Sequence, residues 1–198
     1  MRENKFEKIL AAAAHLISKK GYSGTSFQEI ANDVGIHKST LFHYFKNKED
    51  VLLRILERSI EEVCRNLEQI TANDALGPLE KLEKAIHNHL ALLLEYFDNV
   101  NVYLNEFRSL SEKNQALYLQ KRKKYEQDFQ KIVLEMKKLG YFEGLDTKIV
   151  TFGILGMLNW TAKWHRKDGA LSIEDIARVF YGMITQKHRD NREQANVC

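Results

Sequence analysis

Residues that interrupt helices are scarce in this sequence. Its 198 residues include one proline and ten glycines, and these two residue types have the lowest helix propensity. Alanine, leucine, glutamate, lysine and glutamine are abundant instead. The composition argues against a sheet of many short strands joined by turns, and it predicts an all-α protein.

Cysteine and long apolar runs are also scarce. Cys64 lies in a helical pattern and Cys198 is the last residue, with no C-x-x-C spacing near either. This usage predicts a reduced protein without a structural disulfide. The stretch MRENKFEKILAAAAHLI contains no signal-peptide cleavage site, and no apolar run reaches the length of about 18 residues that spans a membrane. We therefore expect a cytoplasmic protein that does not enter a membrane.

No strong charge of either sign and no catalytic motif is present. The formal net charge is +3, a mild basic excess that permits nucleic-acid binding without requiring it. The letters HNH at 87–89 do not make a metal motif, because the two histidines point to different sides of a helix. No nucleophile with its base, phosphate-cradling glycine loop or cation site occurs, so we expect neither an enzyme nor a metal or cofactor.

Apolar residues at helical spacing predict about nine helices. Besides one ending near Lys20, helices are predicted over 27–34, 38–45, 47–68, 79–97, 100–109, 113–138, 146–166 and 173–187. The second helix starts at a capping box formed either by Thr25 with Gln28 or by Ser26 with Glu29. We divide the chain into a three-helix helix-turn-helix domain (1–46), a helical ligand-binding and dimerisation domain (47–188), and a polar tail (189–198) expected to be disordered.

Residues 27–45 have the outline of a helix-turn-helix, two short helices joined by a turn at Gly35. If the second helix lies in a DNA major groove, its outward residues reach base edges and phosphates, and the residues at its far end fix the DNA backbone. The alternative is a surface hairpin of solvated polar residues. The predicted DNA-binding residues are Thr25, Lys38, Ser39, Thr40, His43, Tyr44 and Lys48.

The segment GYSGTSFQEIANDVGIHKSTLFHYFKNKEDVL resembles the DNA-binding segment of the TetR family of transcriptional regulators. The matching positions are Gly21, Tyr22, Thr25, Ile30, Ala31, Val34, Gly35, Leu41, Tyr44, Phe45, Lys48, Glu49 and Leu52. The sequence departs from the family pattern at His37, where a serine usually caps the recognition helix, and at Phe42, where a tyrosine commonly contacts phosphate. The resemblance implies a homodimer that binds palindromic double-stranded operator DNA and responds to a small molecule.

A second segment, TFGILGMLNWTAKWHRKDGALSIEDIARVF, is apolar almost all round and must be covered on more than one side. Its pattern G-x-x-G-M-x-N-W-x-x-x-W resembles a TetR subgroup that controls fatty-acid, steroid and aromatic-acid degradation and responds to acyl-CoA thioesters. The candidate dimer-interface residues are Gly153, Gly156, Trp164 and Phe180. The candidate effector-pocket residues are Leu93, Phe97, Tyr103, Phe107, Leu155, Asn159 and Trp160.

The sequence therefore predicts a transcriptional repressor that a small apolar effector, such as a fatty acyl-CoA, releases from DNA. A drug-responsive efflux repressor of the same family is an alternative within this class. A helical lipid carrier that binds no DNA is an alternative from another class. Asn159 pairs either across an interface or with a ligand carbonyl, since a buried amide needs a partner.

Overall fold

The computed structural model describes residues 2–166 and 169–186, and the regular secondary structure in this part of the chain is all helix, with no strand. The predicted disordered tail, 189–198, and Cys198 lie outside the described residues. The α-helices are α1 (Arg2–Lys20), α2 (Phe27–Val34), α3 (Lys38–Leu41), α4 (Lys48–Thr71), α5 (Pro78–Glu95), α6 (Phe97–Glu106), α7 (Glu112–Lys138), α8 (Thr147–Trp164) and α9 (Ile173–Thr185), with a 3-10 turn at Phe107–Ser109. The prediction of an all-α fold with about nine helices is confirmed for the described residues.

Helices α1 to α3 form a small N-terminal unit, which we call the head. Ile9, Ile17, Ile30 and Leu41 are fully buried in it, together with the ring of Phe45. The aromatic ring of Phe6 stacks on Phe45 with ring centroids 5.4 Å apart. This shared core fixes α3 against the two longer helices.

The other six helices form a larger body around α4, α5 and α7. Helix α4 packs against α7 and α5, and α9 packs against α5. The core of the body is continuous with the core of the head, because α1 contacts both α4 and α6. No helix in the described residues is long and apolar enough to cross a membrane.

Local signals set most of the helix boundaries. The Ser26 hydroxyl accepts from the Glu29 backbone N–H and the Glu29 carboxylate accepts from the Ser26 N–H, which is a capping box at the start of α2. The Asn47 side chain caps α4 by accepting from the Asp50 N–H. Of the two capping boxes that the sequence allowed, the structure forms the one at Ser26.

Helix α3 is shorter than predicted. Regular α-helix ends at Leu41, whereas the sequence pattern placed its end at residue 45. The backbone N–H groups of His43 and Tyr44 donate to carbonyls only three residues back, at 3.2 and 2.9 Å, so the chain tightens into turns over 42–44. This tighter path turns Phe45 into the core.

Candidate DNA-binding surface and ligand cavity

The turn between α2 and α3 depends on Gly35. Its φ of 72° lies in the left-handed region that favours glycine. The backbone N–H of Ile36 then donates to the Ala31 carbonyl at 2.9 Å, which closes the end of α2. At the next helix start His37 makes no side-chain capping bond. The orientation of α3 therefore comes from the turn and from the buried Leu41, not from a cap.

Polar side chains cover the outer surface of α3 and its following turn. Lys38, Ser39 and His43 are exposed, and Thr40 and Tyr44 are half-buried. All five belong to the predicted DNA-binding set. Their placement on one short segment with free donors and acceptors is what contact with base edges and phosphates requires.

The structure places the other two predicted DNA contacts differently. Thr25 is buried, and its hydroxyl donates to the Gly21 carbonyl at 3.0 Å. The Lys48 ammonium donates to the carbonyls of Tyr22 and Thr25 at 2.6 and 2.8 Å, and it lies 4.3 Å from the centre of the Tyr22 ring. These two side chains hold the loop after α1 in shape, and their contact with DNA stays a prediction.

A shallow groove runs beside α3. Its lining residues are Ser23, Gly24, Thr25, Ser26, Phe27, Lys38, Phe42, Lys46, Asn47 and Lys48. The Phe42 ring is 55% exposed here and lies beside Phe27, with ring centroids 5.2 Å apart. Three lysines along one groove make a cationic surface suited to a phosphate backbone.

The body encloses a cavity of about 340 Å³. Helices α4 to α8 supply its lining, which consists of Ser59, Ile60, Val63, His89, Leu92, Leu93, Val100, Tyr103, Leu104, Tyr118, Arg122, Tyr125, Glu126, Phe152, Leu155, Gly156 and Asn159. This volume lies near the small end of the usual range for ligand pockets, about 300–1,000 Å³. An apolar lining with a few convergent polar groups is typical of a small-molecule site.

Four of the seven predicted pocket residues line this cavity: Leu93, Tyr103, Leu155 and Asn159. Phe97, Phe107 and Trp160 do not. Trp160 is 65% exposed, because it lies on the outer side of α8. Phe107 packs its ring against Tyr103 and Tyr118, so it supports the lining from the side.

The sequence patterns missed the contribution of α7. Tyr118, Arg122, Tyr125 and Glu126 follow one another at intervals of four, three and one residues, which places them on one face of the helix. The surrounding sequence LQKRKKYEQ is rich in charge, and such a run is typical of a solvated helix face. The pattern that could have indicated the cavity is the pair of tyrosines, Tyr118 and Tyr125, seven residues apart on the helix.

Polar side chains from three helices meet at one part of the cavity wall. His89 of α5 is 7% exposed, and its Nδ1 lies 2.8 Å from the Tyr125 hydroxyl of α7. Burial lowers the pKa of His89 to about 4, and hydrogen bonding of the ring to the Asn159 side chain of α8 opposes this shift in part. The imidazole is therefore neutral at physiological pH.

An ion pair borders the cavity on α7. The Arg122 guanidinium donates to the Glu126 carboxylate at 2.8 Å and to the Tyr103 hydroxyl at 2.6 Å. The neighbouring Lys121 pairs with Glu57 and Glu61 of α4. Among the described residues, no group of three or more His, Cys, Asp or Glu side chains is placed to hold a metal ion.

Exposed apolar side chains form one surface along α8 and α9. On α8, Ile149 and Trp160 are 67% and 65% exposed, and Gly153, Gly156 and Trp164 lie on or beside the same stripe. Apart from the nearby backbone and chain neighbours in α8 itself, no atom of the described residues lies within 4 Å of a Cβ built at Gly153 or Gly156. Helix α9 adds Val179 and Met183, whereas Phe180 is half-buried and packs on the core. Surfaces of this kind mark interaction sites.

The first turn of α4 contacts both the start of α7 and the loop of the head. The Glu49 carboxylate at the start of α4 accepts from the Ser111 backbone N–H at 2.8 Å and from the Asn114 amide at 2.6 Å. These hydrogen bonds hold the pKa of Glu49 below its usual value. Its sequence neighbour Lys48 holds the loop of the head, so the start of α7 and the head are tied to the same turn of α4.

Two family models match the chain. Residues 9–55 match the bacterial regulatory proteins of the tetR family, and residues 75–187 match the tetracyclin repressor-like C-terminal domain. The second match alone covers more than half of the 198 residues. The chain therefore belongs to the TetR family of transcriptional regulators, which confirms the resemblance seen in the sequence.

Individual relatives agree with this assignment. The chain is 25% identical over 194 residues to the HTH-type transcriptional repressor KstR2 of Mycolicibacterium smegmatis, covering 93% of this chain and 92% of that protein. It is 32% identical over 89 residues to the fatty acid metabolism regulator protein of Bacillus subtilis, covering 45% of each. These relatives are regulators, which confirms the prediction that the chain is not an enzyme.

The chain is also similar to a solved structure of a regulator with its ligand bound. The crystal structure of AibR in complex with isovaleryl coenzyme A and operator DNA superposes with a TM-score of 0.81 at 29% sequence identity. The alignment covers 91% of this chain and 97% of AibR.

Proposed function

We propose that this regulator is a repressor, active as a homodimer, that binds palindromic operator DNA and dissociates when an acyl-CoA thioester enters the cavity. The observation that carries the proposal is the cavity itself, an apolar space between α4 and α8 with a small set of polar groups on its wall. Such a site fits an acyl group better than a polar metabolite.

The size of the cavity limits how the effector fits. A volume of about 340 Å³ accommodates a short or medium acyl chain, and a nucleotide-bearing CoA is far larger. The acyl group would therefore lie inside, with the CoA moiety outside the mouth of the cavity. AibR is a related regulator seen with a short acyl-CoA and operator DNA together, which supports this class of effector.

The domain division supports the DNA half of the proposal. Residues 1–46 would read DNA and residues 47–188 would bind the effector and dimerise. Helix α4 crosses the boundary, and Glu49 joins it to the start of α7. Movement of α7 around a bound ligand would then change the position of the head. The ligand shifts the equilibrium by its difference in affinity for the two conformations.

The exposed apolar stripe of α8 and α9 supports the homodimer. A second copy would cover Trp160 and Met183, and a two-fold axis would place two heads on successive major grooves. Gly153 and Gly156 leave room for close approach of the partner helix.

The test is a fluorescence-anisotropy titration of the protein on DNA from upstream of its own gene, with and without octanoyl-CoA. Free CoA and free octanoate are the controls. We expect saturable binding of two chains per operator, reversed by the thioester alone. If none of the three compounds changes DNA binding, the acyl-CoA effector is contradicted and a drug-responsive repressor is favoured. Absence of salt-sensitive DNA binding would favour a lipid carrier, because counterion release makes DNA binding depend on salt.

A further inference from the structure

His89 is an unusual side chain for its position on α5. Its neighbours on the buried side, Ile86 and Leu90, are fully buried apolar residues, and Leu92 and Leu93 line the cavity beside it. An apolar side chain would fill this position without the cost of burying a polar ring. The imidazole therefore needs an explanation in its partners or in a ligand.

The Tyr125 hydroxyl contacts one of the two ring nitrogens of His89. The Tyr125 side chain is buried, and the acceptor that the structure offers its hydroxyl is His89 Nδ1 at 2.8 Å. A neutral imidazole has one donor and one acceptor nitrogen. If Nδ1 accepts from Tyr125, Nε2 carries the proton, and without ligand its partner is the Asn159 side chain, which a carbonyl oxygen would have to displace.

The cavity offers no unpaired charge close to this donor. Its charged lining residues are Arg122 and Glu126, which bind one another. Among the other titratable groups, α6 and α7 bring only tyrosines to the cavity, α4 brings none, and α8 brings the neutral amide of Asn159. A carboxylate placed here would lose its hydration without gaining a free cation, whereas a neutral acceptor oxygen would not incur that cost.

The position of Asn159 indicates which part of the effector reaches these groups. Asn159 lines the cavity and is exposed, so it lies where the cavity opens along α8. The wall further inside, formed by residues such as Ile60 and Leu93, is apolar. An acyl chain that fills the apolar part would leave its carbonyl near the opening.

We propose that His89, Asn159 and Tyr125 form a recognition site for the effector's thioester carbonyl, to which His89 Nε2–H and the Asn159 amide N–H donate while Tyr125 orients the imidazole. This inference rests on the proposed acyl-CoA function and names the chemistry that selects the effector within it. His89 and Asn159 determine specificity, and Tyr125 is a positioning residue.

The test compares two ligands that differ only at the carbonyl. Octanoyl-CoA and its thioether analogue S-octyl-CoA share the CoA moiety and an eight-carbon chain, but the thioether lacks the oxygen. We expect the full-length protein to bind octanoyl-CoA about tenfold more tightly in isothermal titration calorimetry, since the thioether has no oxygen to accept from the His89 and Asn159 donors.

Variants assign the preference to the proposed residues. His89→Phe and Asn159→Leu should bind the two ligands with equal affinity. Asn159 is exposed, so its variant keeps the fold even if His89→Phe does not. Tyr125→Phe should lose part of the preference, whereas Tyr118→Phe is the matched control, because it removes a cavity hydroxyl from the same helix without touching His89. Operator binding without ligand confirms that each variant is folded.

The outcomes separate this inference from the function on which it rests. Equal affinity of the unsubstituted protein for both ligands would overturn the carbonyl site and leave the acyl-CoA effector standing. A tenfold preference that survives in Asn159→Leu and His89→Phe would also overturn it. Failure of both ligands to bind would overturn the acyl-CoA function and this inference together.

Discussion

The head is formed by residues close together in the sequence, whereas the cavity is formed by residues far apart in it. The α2–α3 segment, its turn and its capping box fall within residues 26–45, and each contact there joins residues close in sequence. The cavity takes its lining from Ser59 to Asn159, spread over five helices. A local unit can be recognised by spacing, whereas a cavity made by helix packing depends on how distant segments meet.

The largest expected effect comes from opening the core of the head. Phe45 is 1% exposed and stacks on Phe6, so Phe45→Ala should lower the free energy of unfolding by about 3–5 kcal/mol. Chemical denaturation followed by circular dichroism measures it. Phe42→Ala, at a ring that is 55% exposed, is the control and should cost much less. Equal losses would show that Phe45 does not fix α3.

The second largest effect should be loss of dimerisation through the body, with the fold of each chain unchanged. Trp160→Glu places a charge on the exposed stripe of α8, and we expect monomers in sedimentation velocity. Losing the second head should weaken operator binding by about 100-fold or more. Leu134→Glu, on an apolar side chain of α7 that is 49% exposed, is the matched control and should remain dimeric. A dimeric Trp160→Glu protein would remove this surface from the interface.

Substitution of Lys38 in the head and of Lys48 at the start of α4 should separate a structural role from DNA contact. Lys48→Met removes the charged hydrogen bonds to the Tyr22 and Thr25 carbonyls and should lower stability by about 1.5–3 kcal/mol. Lys38→Met, on an exposed side chain, should leave stability unchanged and weaken operator binding with a smaller salt dependence. Thermal unfolding and anisotropy measure the two properties. Unchanged stability of Lys48→Met would indicate that this side chain contacts DNA and does not stabilise the loop.

The smallest effect is a pH dependence that belongs to the cavity. Burial lowers the pKa of His89 to about 4 in the folded chain, so the unfolded chain binds the extra proton first as pH falls through about 6.5. Stability should therefore be complete above that pH and decrease by about 1.4 kcal/mol between pH 7.5 and 5.5. The His89→Phe variant should lack this component in denaturation curves at the two pH values. Parallel curves for both proteins would contradict a buried neutral imidazole.

Sequence reasoning was most accurate where the physics is local. The Ser26 capping box and the left-handed Gly35 follow from residue types at fixed spacing, and both occur in the structure. The length of α3 was wrong, because Phe45 had to reach the core and the chain tightened into 3-10-type turns before it. Helix propensity carries no information about that requirement.

For the cavity, pattern reasoning gave only part of the answer. Leu93, Leu155 and Asn159, chosen from an apolar stripe and an isolated amide, line the cavity, but Trp160 does not, since an aromatic side chain suits a cavity and an interface equally well. His89 and Tyr125 were missed. They are 36 residues apart, and only their meeting at 2.8 Å shows what they do.

The sequence by itself determined the helical fold, the turn that presents α3 and the family of the protein, because these depend on residue type, period and short motifs. The tertiary structure decided which residues line the cavity, that Lys48 and Thr25 face the head's own backbone, and that α8 has a cavity side and an exposed side. Those properties depend on the relative placement of helices far apart in the chain, and a one-dimensional pattern does not specify it.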